Sequence, residues 1–191
     1  MTSPIVMATT GAWTADLVRP LGVSIPVVPV MRAVYVVDHG RNRGDAQCLS
    51  SLRGVCVAGE RTNLADRLVR DEDPIGYEFT PARRQRFTDL IWPELYRHVP
   101  AFDSLEVETA WAGLYAVNTL DGNAILGEWP DQTGLYLATG FSGRGFQQAP
   151  AVGRYLSELI VGLDPVLDLS RLGGQRVLDG QPVHEQAGRL I

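Results

Sequence analysis

The 191-residue chain contains no lysine: all 17 basic residues are arginine, against 22 acidic residues, for a formal charge of -5. That absence excludes Schiff-base catalysis, a phosphate-loop lysine and any lysine general base. The acidic balance argues against nucleic acid as a main partner. Cysteine is scarce too. Cys48 and Cys56 are the only two, so the choices are one disulfide or two free thiols, and a reducing compartment favours the thiols. His39, His98 and His184 are scattered and form no ligand pair, so no metal centre is expected. Met1 to Asp16 lacks the basic start of a secretory signal, and no apolar run reaches the length of a membrane span. The expectation is a soluble, cytoplasmic protein. What is present, 45% apolar and 20% charged residues, is the composition of a folded chain with room for one domain or two small ones.

Along the chain, Ile5 to Thr9 reads as a buried strand, Gly11 as a tight turn, and the stretch from Thr14 as a short helix carrying Leu17, Val18 and Leu21. A buried strand of this kind needs neighbours on both sides. Ile25 to Asp38 is valine-rich, with prolines that restrict its first part to edge or irregular strand. Residues 39–51 read as a polar loop, Val55 to Ala58 as a strand, and Asn63 to Pro74 as a charged connector. A helix is expected from Pro81 to Arg97, then a strand from Ser104 to Leu114 with Leu105, Val107 and Thr109 on one face. Asp121-Gly-Asn123 is a turn, and Ala124–Gly127 and Gly134–Thr139 are further strands. Asp71, Glu72 and Asp73, like Arg83, Arg84 and Arg86, read as solvated surface. Trp111 and Trp129 either line a pocket or pack in a core or interface. The tail from Asp164 has little periodicity and either packs as an arm or stays mobile.

The stretch GLYLATGFSGRGFQQAPAVGRYLSELIVG, residues 134–162, carries the most information. Pro150 suits a first helical turn, Val152, Leu156, Leu159 and Ile160 form one apolar face, and Gly162 stands where a helix terminates. Gly140, Gly143 and Gly145 in the preceding turn leave backbone bare beside a helix start, which suits an anion or an electron-rich ligand edge. A tight strand-to-helix connection without ligand is the competing reading. Gln148 stands where the third glycine of the dinucleotide fingerprint belongs, so a ligand here is not held by its pyrophosphate.

This stretch, together with AWAGLYAVNTLDGNAILGE, WPELYRHVPAF and MATTGAWTADL, resembles the C-terminal part of the D-amino-acid oxidase (DAO) superfamily of FAD-dependent oxidoreductases. Within it the chain is most similar to the FAD-dependent oxidoreductase domain-containing protein 1, sarcosine oxidase and glycine oxidase types. The resemblance implies an α/β (mixed α+β) fold: an antiparallel substrate-domain sheet with flanking helices, plus the strand, glycine turn and helix that close a Rossmann-like FAD-binding domain. It implies a residual FAD-domain segment at 1–24, a substrate-binding domain at 25–126, a C-terminal FAD-binding segment at 127–163 and a tail at 164–191. Gly143, Arg144, Gly145, Phe146 and Gln147 would lie at the flavin. Thr10, Gly11 and Trp13 would border its nucleotide or far side, and Tyr115 would face a small amine or amino-acid substrate. Arg144 either binds a substrate carboxylate or is a solvated surface arginine.

Two departures from the family pattern bear on chemistry. Relatives that attach flavin through cysteine do so near the position of Gly113 or Leu114, where this chain has none, so FAD would be noncovalent. Some oxidases carry a lysine where Gln147 stands, which implies a slow oxidase or a dehydrogenase here. Gln147 and Tyr115 are the expected catalytic positions. The family's N-terminal nucleotide-binding unit would precede Met1. The alternative reading is therefore a truncated or split chain that binds no FAD alone and works as a subunit, with a second chain supplying that half.

Overall fold

The computed structural model describes residues 3–38, 55–58, 62–66, 75–77, 85, 87–98 and 100–184. The chain forms two compact units, one of residues Met1–Val30 with Tyr115–Ile191 and one of Met31–Leu114. The boundaries fall inside two long strands, β2 (Val27–Asp38) and β5 (Glu106–Asn118), which carry the chain out of the first unit and back.

The first unit is built on a three-stranded sheet with the order β1 (Val6–Ala8), β7 (Gln132–Thr139), β6 (Ile125–Trp129). β1 and β7 are parallel, with Val6 opposite Leu135 and Ala8 opposite Leu137, while β6 and β7 form an antiparallel hairpin. One face packs Ala8, Ile125, Leu135 and Leu137 against Val18 of α1 (Thr14–Val18), Val23 and Val27. The other packs Leu126 and Ala138 against Val152, Tyr155 and Leu156 of α3 (Gly145–Ile160). β1 has a neighbour on one side only among the described residues, and Ile5, Val6 and Met7 are exposed.

In the second unit, β3 (Val55–Ala58) and β4 (Thr62–Asp66) belong to a sheet of order β3-β4-β2-β5. Ala33, Tyr35 and Val37 of β2 pack on Phe87, Ile91 and Leu95, from a π-helical turn, Phe87–Ile91, that runs into α2 (Trp92–His98).

Several expectations are corrected. Asn63–Asp66 is part of a strand, β4, where a connector was expected, because it pairs with both β2 and β3. Pro29 lies in the first part of β2, outside the Val34–Val37 ladder to β4, in line with the expectation for a proline there. On β5 the alternation breaks: Val107 and Ala110 pack on the core while Thr109 is exposed. Pro150 lies inside α3, because the Gln148 N–H bonds Arg144 O and starts the helix before the proline. Gly162 ends that helix with φ 76°, as expected. Trp129 is core and Trp111 is half exposed. The residue 39–51 loop, the Asp71–Asp73 cluster, Arg83, Arg84, Arg86, Cys48 and the expected helix start at Pro81 lie outside the described residues.

The tail is an arm packed on the first unit as far as His184. Leu169 and Leu172 join the core beneath α3, and Val177 of α4 (Gln175–Leu178) packs against the core beneath β1. Its entry is tied down by Glu158, whose carboxylate accepts from Arg154 Nε at 2.8 Å and from the Val166 N–H at 2.9 Å. These two bonds, the arginine's first, hold the Glu158 carboxyl below its ordinary value of 4.5. A depressed carboxyl stabilises the fold above its ordinary value and loses that contribution as pH falls below it. Melting temperatures of wild type and Glu158→Gln should therefore converge as pH drops from 7 through 4.5; a constant gap would show that this carboxylate is not the titrating group.

Candidate functional site

The carboxyl ends of the parallel strands β1 and β7 open side by side, and each passes into a glycine-bearing loop. This is the edge of a parallel sheet where ligands of α/β proteins bind. After β1, Thr10 and Gly11 lead into a helical turn, Gly11–Trp13, that continues as α1. After β7, Gly140 to Arg144 lead into α3.

A buried threonine cluster fixes the two loops to each other. Thr14 Oγ1 donates to Gly11 O at 2.8 Å and accepts from Thr10 Oγ1 and Thr139 Oγ1, each at 3.1 Å. Thr14 and Thr139 are fully buried, so these hydroxyls are satisfied only by each other and by backbone. The β-branched residues at the ends of β1 and β7 thus serve the loops as much as the strands.

The second loop is shaped by Ser142, Gly143 and Tyr115. Ser142 takes φ 51°, a left-handed conformation uncommon for a residue with a side chain. It is held there by its N–H on Ala116 O at 3.0 Å and by the Asn118 N–H, which donates to Ser142 Oγ at 3.1 Å. Gly143 has φ 91°, and a Cβ at this position would stand 2.3 Å from Tyr115 Cε2. Only glycine admits the tyrosine ring so close. The glycine turn is therefore seated on Tyr115 of β5, a contact that the sequence does not announce.

Beyond Gly143 the helix start is open. No side chain caps α3, and the N–H groups of Gly145, Phe146 and Gln147 have no acceptor among the described residues. Three backbone donors and the positive end of a 16-residue helix thus face outward together. Phe146 is 94% exposed on this turn, Gln147 is exposed, and Trp13 is half exposed on the neighbouring loop. The Arg144 guanidinium donates to Gly122 O at 2.7 Å and Asn123 Oδ1 at 3.4 Å, on the turn between β5 and β6.

All the residues expected at a flavin or substrate, Thr10, Gly11, Trp13, Tyr115 and Gly143 to Gln147, fall in the first unit. Sequence reading missed Ser142, Thr14 and Thr139, which position them. No local signal in the sequence marks Ser142. Among the described residues no group of histidine, cysteine and carboxylate side chains has the geometry of a metal site. No helix among them is long and apolar enough to cross a membrane.

A parallel strand pair with two glycine-bearing loops at its carboxyl edge, and a second unit inserted in the chain between them, defines an α/β protein. The chain belongs to the FAD dependent oxidoreductase family, whose sequence profile matches residues 2–159. It is 34% identical over 199 residues to FAD-dependent oxidoreductase domain-containing protein 1 of Xenopus laevis, across 95% of this chain and 40% of that protein. Glycine oxidase of Pseudomonas aeruginosa is 26% identical over 163 residues, across 85% of this chain and 43% of that one. Among solved structures, L-proline dehydrogenase from P. horikoshii shares the fold with a TM-score of 0.80 at 24% identity, covering 94% of this chain and 48% of that one. The chain spans less than half the length of these relatives.

Proposed function

We propose that the chain forms the flavin-facing and substrate-facing part of an FAD-dependent oxidoreductase that oxidises a carbon–nitrogen bond in an amino acid or secondary amine. The observation that carries this reading is the uncapped start of α3, where three backbone N–H groups stand beside bare glycine backbone. That donor set suits the pyrimidine edge of an isoalloxazine ring, which is electron-rich and becomes more so on reduction. The relatives named glycine oxidase and L-proline dehydrogenase support an amine substrate.

In this reading Gly143, Arg144, Gly145, Phe146 and Gln147 hold the ring edge, and Thr10, Gly11 and Trp13 border the nucleotide. FAD, when bound, supplies the acceptor for the electrons leaving the carbon–nitrogen bond. The amides of Gly145 to Gln147 stabilise negative charge at the ring edge, and Tyr115, packed on Gly143, is fixed where it can orient substrate. With no cysteine at Gly113 or Leu114, the cofactor is held noncovalently. The exposed apolar edge of β1 favours a second chain, or a further segment, that supplies the nucleotide-binding half.

Purified protein scanned for visible flavin absorbance, with and without added FAD, tests the reading. Stoichiometric yellow protein would show that this chain holds FAD without the other half; a colourless chain that takes up no FAD would leave the subunit role, with the cofactor held only in a complex. A second expectation concerns Gln147, which carries no charge. In FAD-loaded protein, Gln147→Lys should raise the rate of reoxidation by oxygen, measured by stopped flow, by about tenfold or more through added positive charge near the ring. An unchanged rate would mean that residue 147 does not face the flavin.

A further inference from the structure

The family match ends at residue 159, yet the arm beyond it reaches the candidate site through a chain of buried polar groups. Arg176 of α4 forms an ion pair with Asp121, and the two side chains are 7% and 1% exposed. Arg176 Nη2 also donates to Ala124 O at 2.8 Å and Asn123 O at 3.3 Å, leaving only its Nε–H without a partner among the described residues. The second oxygen of Asp121 accepts from Asn118 Nδ2 at 3.1 Å and from the Asn123 N–H at 2.9 Å. Val183 closes the loop: its N–H donates to Asp121 Oδ2 and its carbonyl accepts from Asn123 Nδ2, both at 2.8 Å. The arm thus grips both ends of the turn Asp121–Asn123. From the opposite side that same turn receives Arg144, the residue immediately before α3.

We propose that Gln175–Val183 is a clamp on the glycine turn, with Arg176 and Asp121 as its positioning residues. A buried ion pair adds little net stability over an apolar pair of equal volume, because desolvation offsets the attraction. What it supplies is a fixed geometry, here that of the Gly122 and Asn123 oxygens that hold Arg144. Releasing the turn takes the Gly122 and Asn123 acceptors from Arg144, and the backbone of Ser142 to Gly145 loosens with it. The close seat of the arm is built in at Gly174, where a Cβ would stand 2.8 Å from Trp129 Cε3 and 3.0 Å from Pro130 Cδ. The consequence for flavin rests on the function proposed above; the grip on the turn does not.

Amide hydrogen exchange on the full chain separates the two. In Arg176→Lys the charge opposite Asp121 stays, but the planar fork to Asn123 O and Ala124 O is lost. Exchange at the Ser142 and Arg144 amides should rise about tenfold through local opening, while Leu137 in β7 is unaffected. In protein that takes up FAD, its dissociation constant should rise about tenfold as well. A rise that includes Leu137 would mark a purely structural pair, and no rise at Ser142 and Arg144 would overturn the clamp whatever the flavin does. If Arg176→Lys does not fold, Gly174→Val moves the arm off Trp129 without altering a charge and is read the same way. If wild type takes up no FAD, the proposed function fails on its own, and the exchange pattern still decides the clamp.

Discussion

Replacing Gly143 by alanine should destabilise the first unit by about 2–5 kcal/mol and abolish any FAD uptake. Two penalties combine. A side chain at φ 91° meets backbone strain of about 1–2 kcal/mol. The new methyl would also lie 2.3 Å from Tyr115 Cε2, an overlap that costs about 1–3 kcal/mol because the ring must leave its seat. A double-mutant cycle distinguishes these contributions. Adding Tyr115→Ala to Gly143→Ala should recover the overlap but not the strain, so that in urea denaturation the double variant loses less stability than the two single losses added together. Independent, additive effects would show that the tyrosine ring does not rest on the glycine.

Asp121→Ala should be at least as severe, about 3–5 kcal/mol, since it strands the Arg176 charge in a site where its side chain is 7% exposed. It also leaves the Val183 and Asn123 N–H groups without their acceptor and takes one of two acceptors from Asn118 Nδ2. The exposed Asp16–Arg19 pair, with side chains 43% and 73% exposed, is the internal comparison. Breaking it should change stability by at most about 1 kcal/mol, because water already solvates both charges. The double variant Asp121→Leu with Arg176→Met should regain much of the loss, since no charge is then stranded. Urea midpoints and proteolysis of the arm check both statements; equal effects for the buried and exposed pairs would show that Arg176 and Asp121 are open to solvent.

The glycine turn and the helix behind it were legible because their chemistry is local: glycines, an apolar helix face and Gly162 lie within one short stretch. β4 was not, since Thr62–Asp66 contains only one strongly β-forming residue, Thr62, and becomes strand through pairing on both sides. The start of α3 was misplaced because proline tolerance at a first turn is a preference, and the bond from Gln148 to Arg144 outweighs it. The supports of the site were illegible for a different reason. Asp121, Gly122 and Asn123 read as turn chemistry, which they are, but nothing near them in sequence announces Arg176 or Val183. Thr14 and Thr139 likewise meet only in the folded chain. Family resemblance gave Tyr115 a place facing substrate, whereas its seat on the glycine turn, through a missing Cβ under the ring, is visible only in three dimensions.

The pairing of Val6 with Leu135 has a consequence in time. The candidate site lies at the end of a parallel pair whose strands enter the first unit from opposite ends of a long detour through Met31–Leu114. Closing so large a loop must precede any reward from the contact, so such non-local pairing is slow relative to local helices and hairpins. During synthesis β1 emerges before the Met31–Leu114 unit and waits for its partner until β7 leaves the ribosome. The hairpin of β6 and β7 can form as soon as both strands are made, and it then offers β1 a template. The edge that carries the candidate site therefore assembles only after β7 is made, and yield at a given temperature should depend on how well the waiting strand is kept from pairing elsewhere.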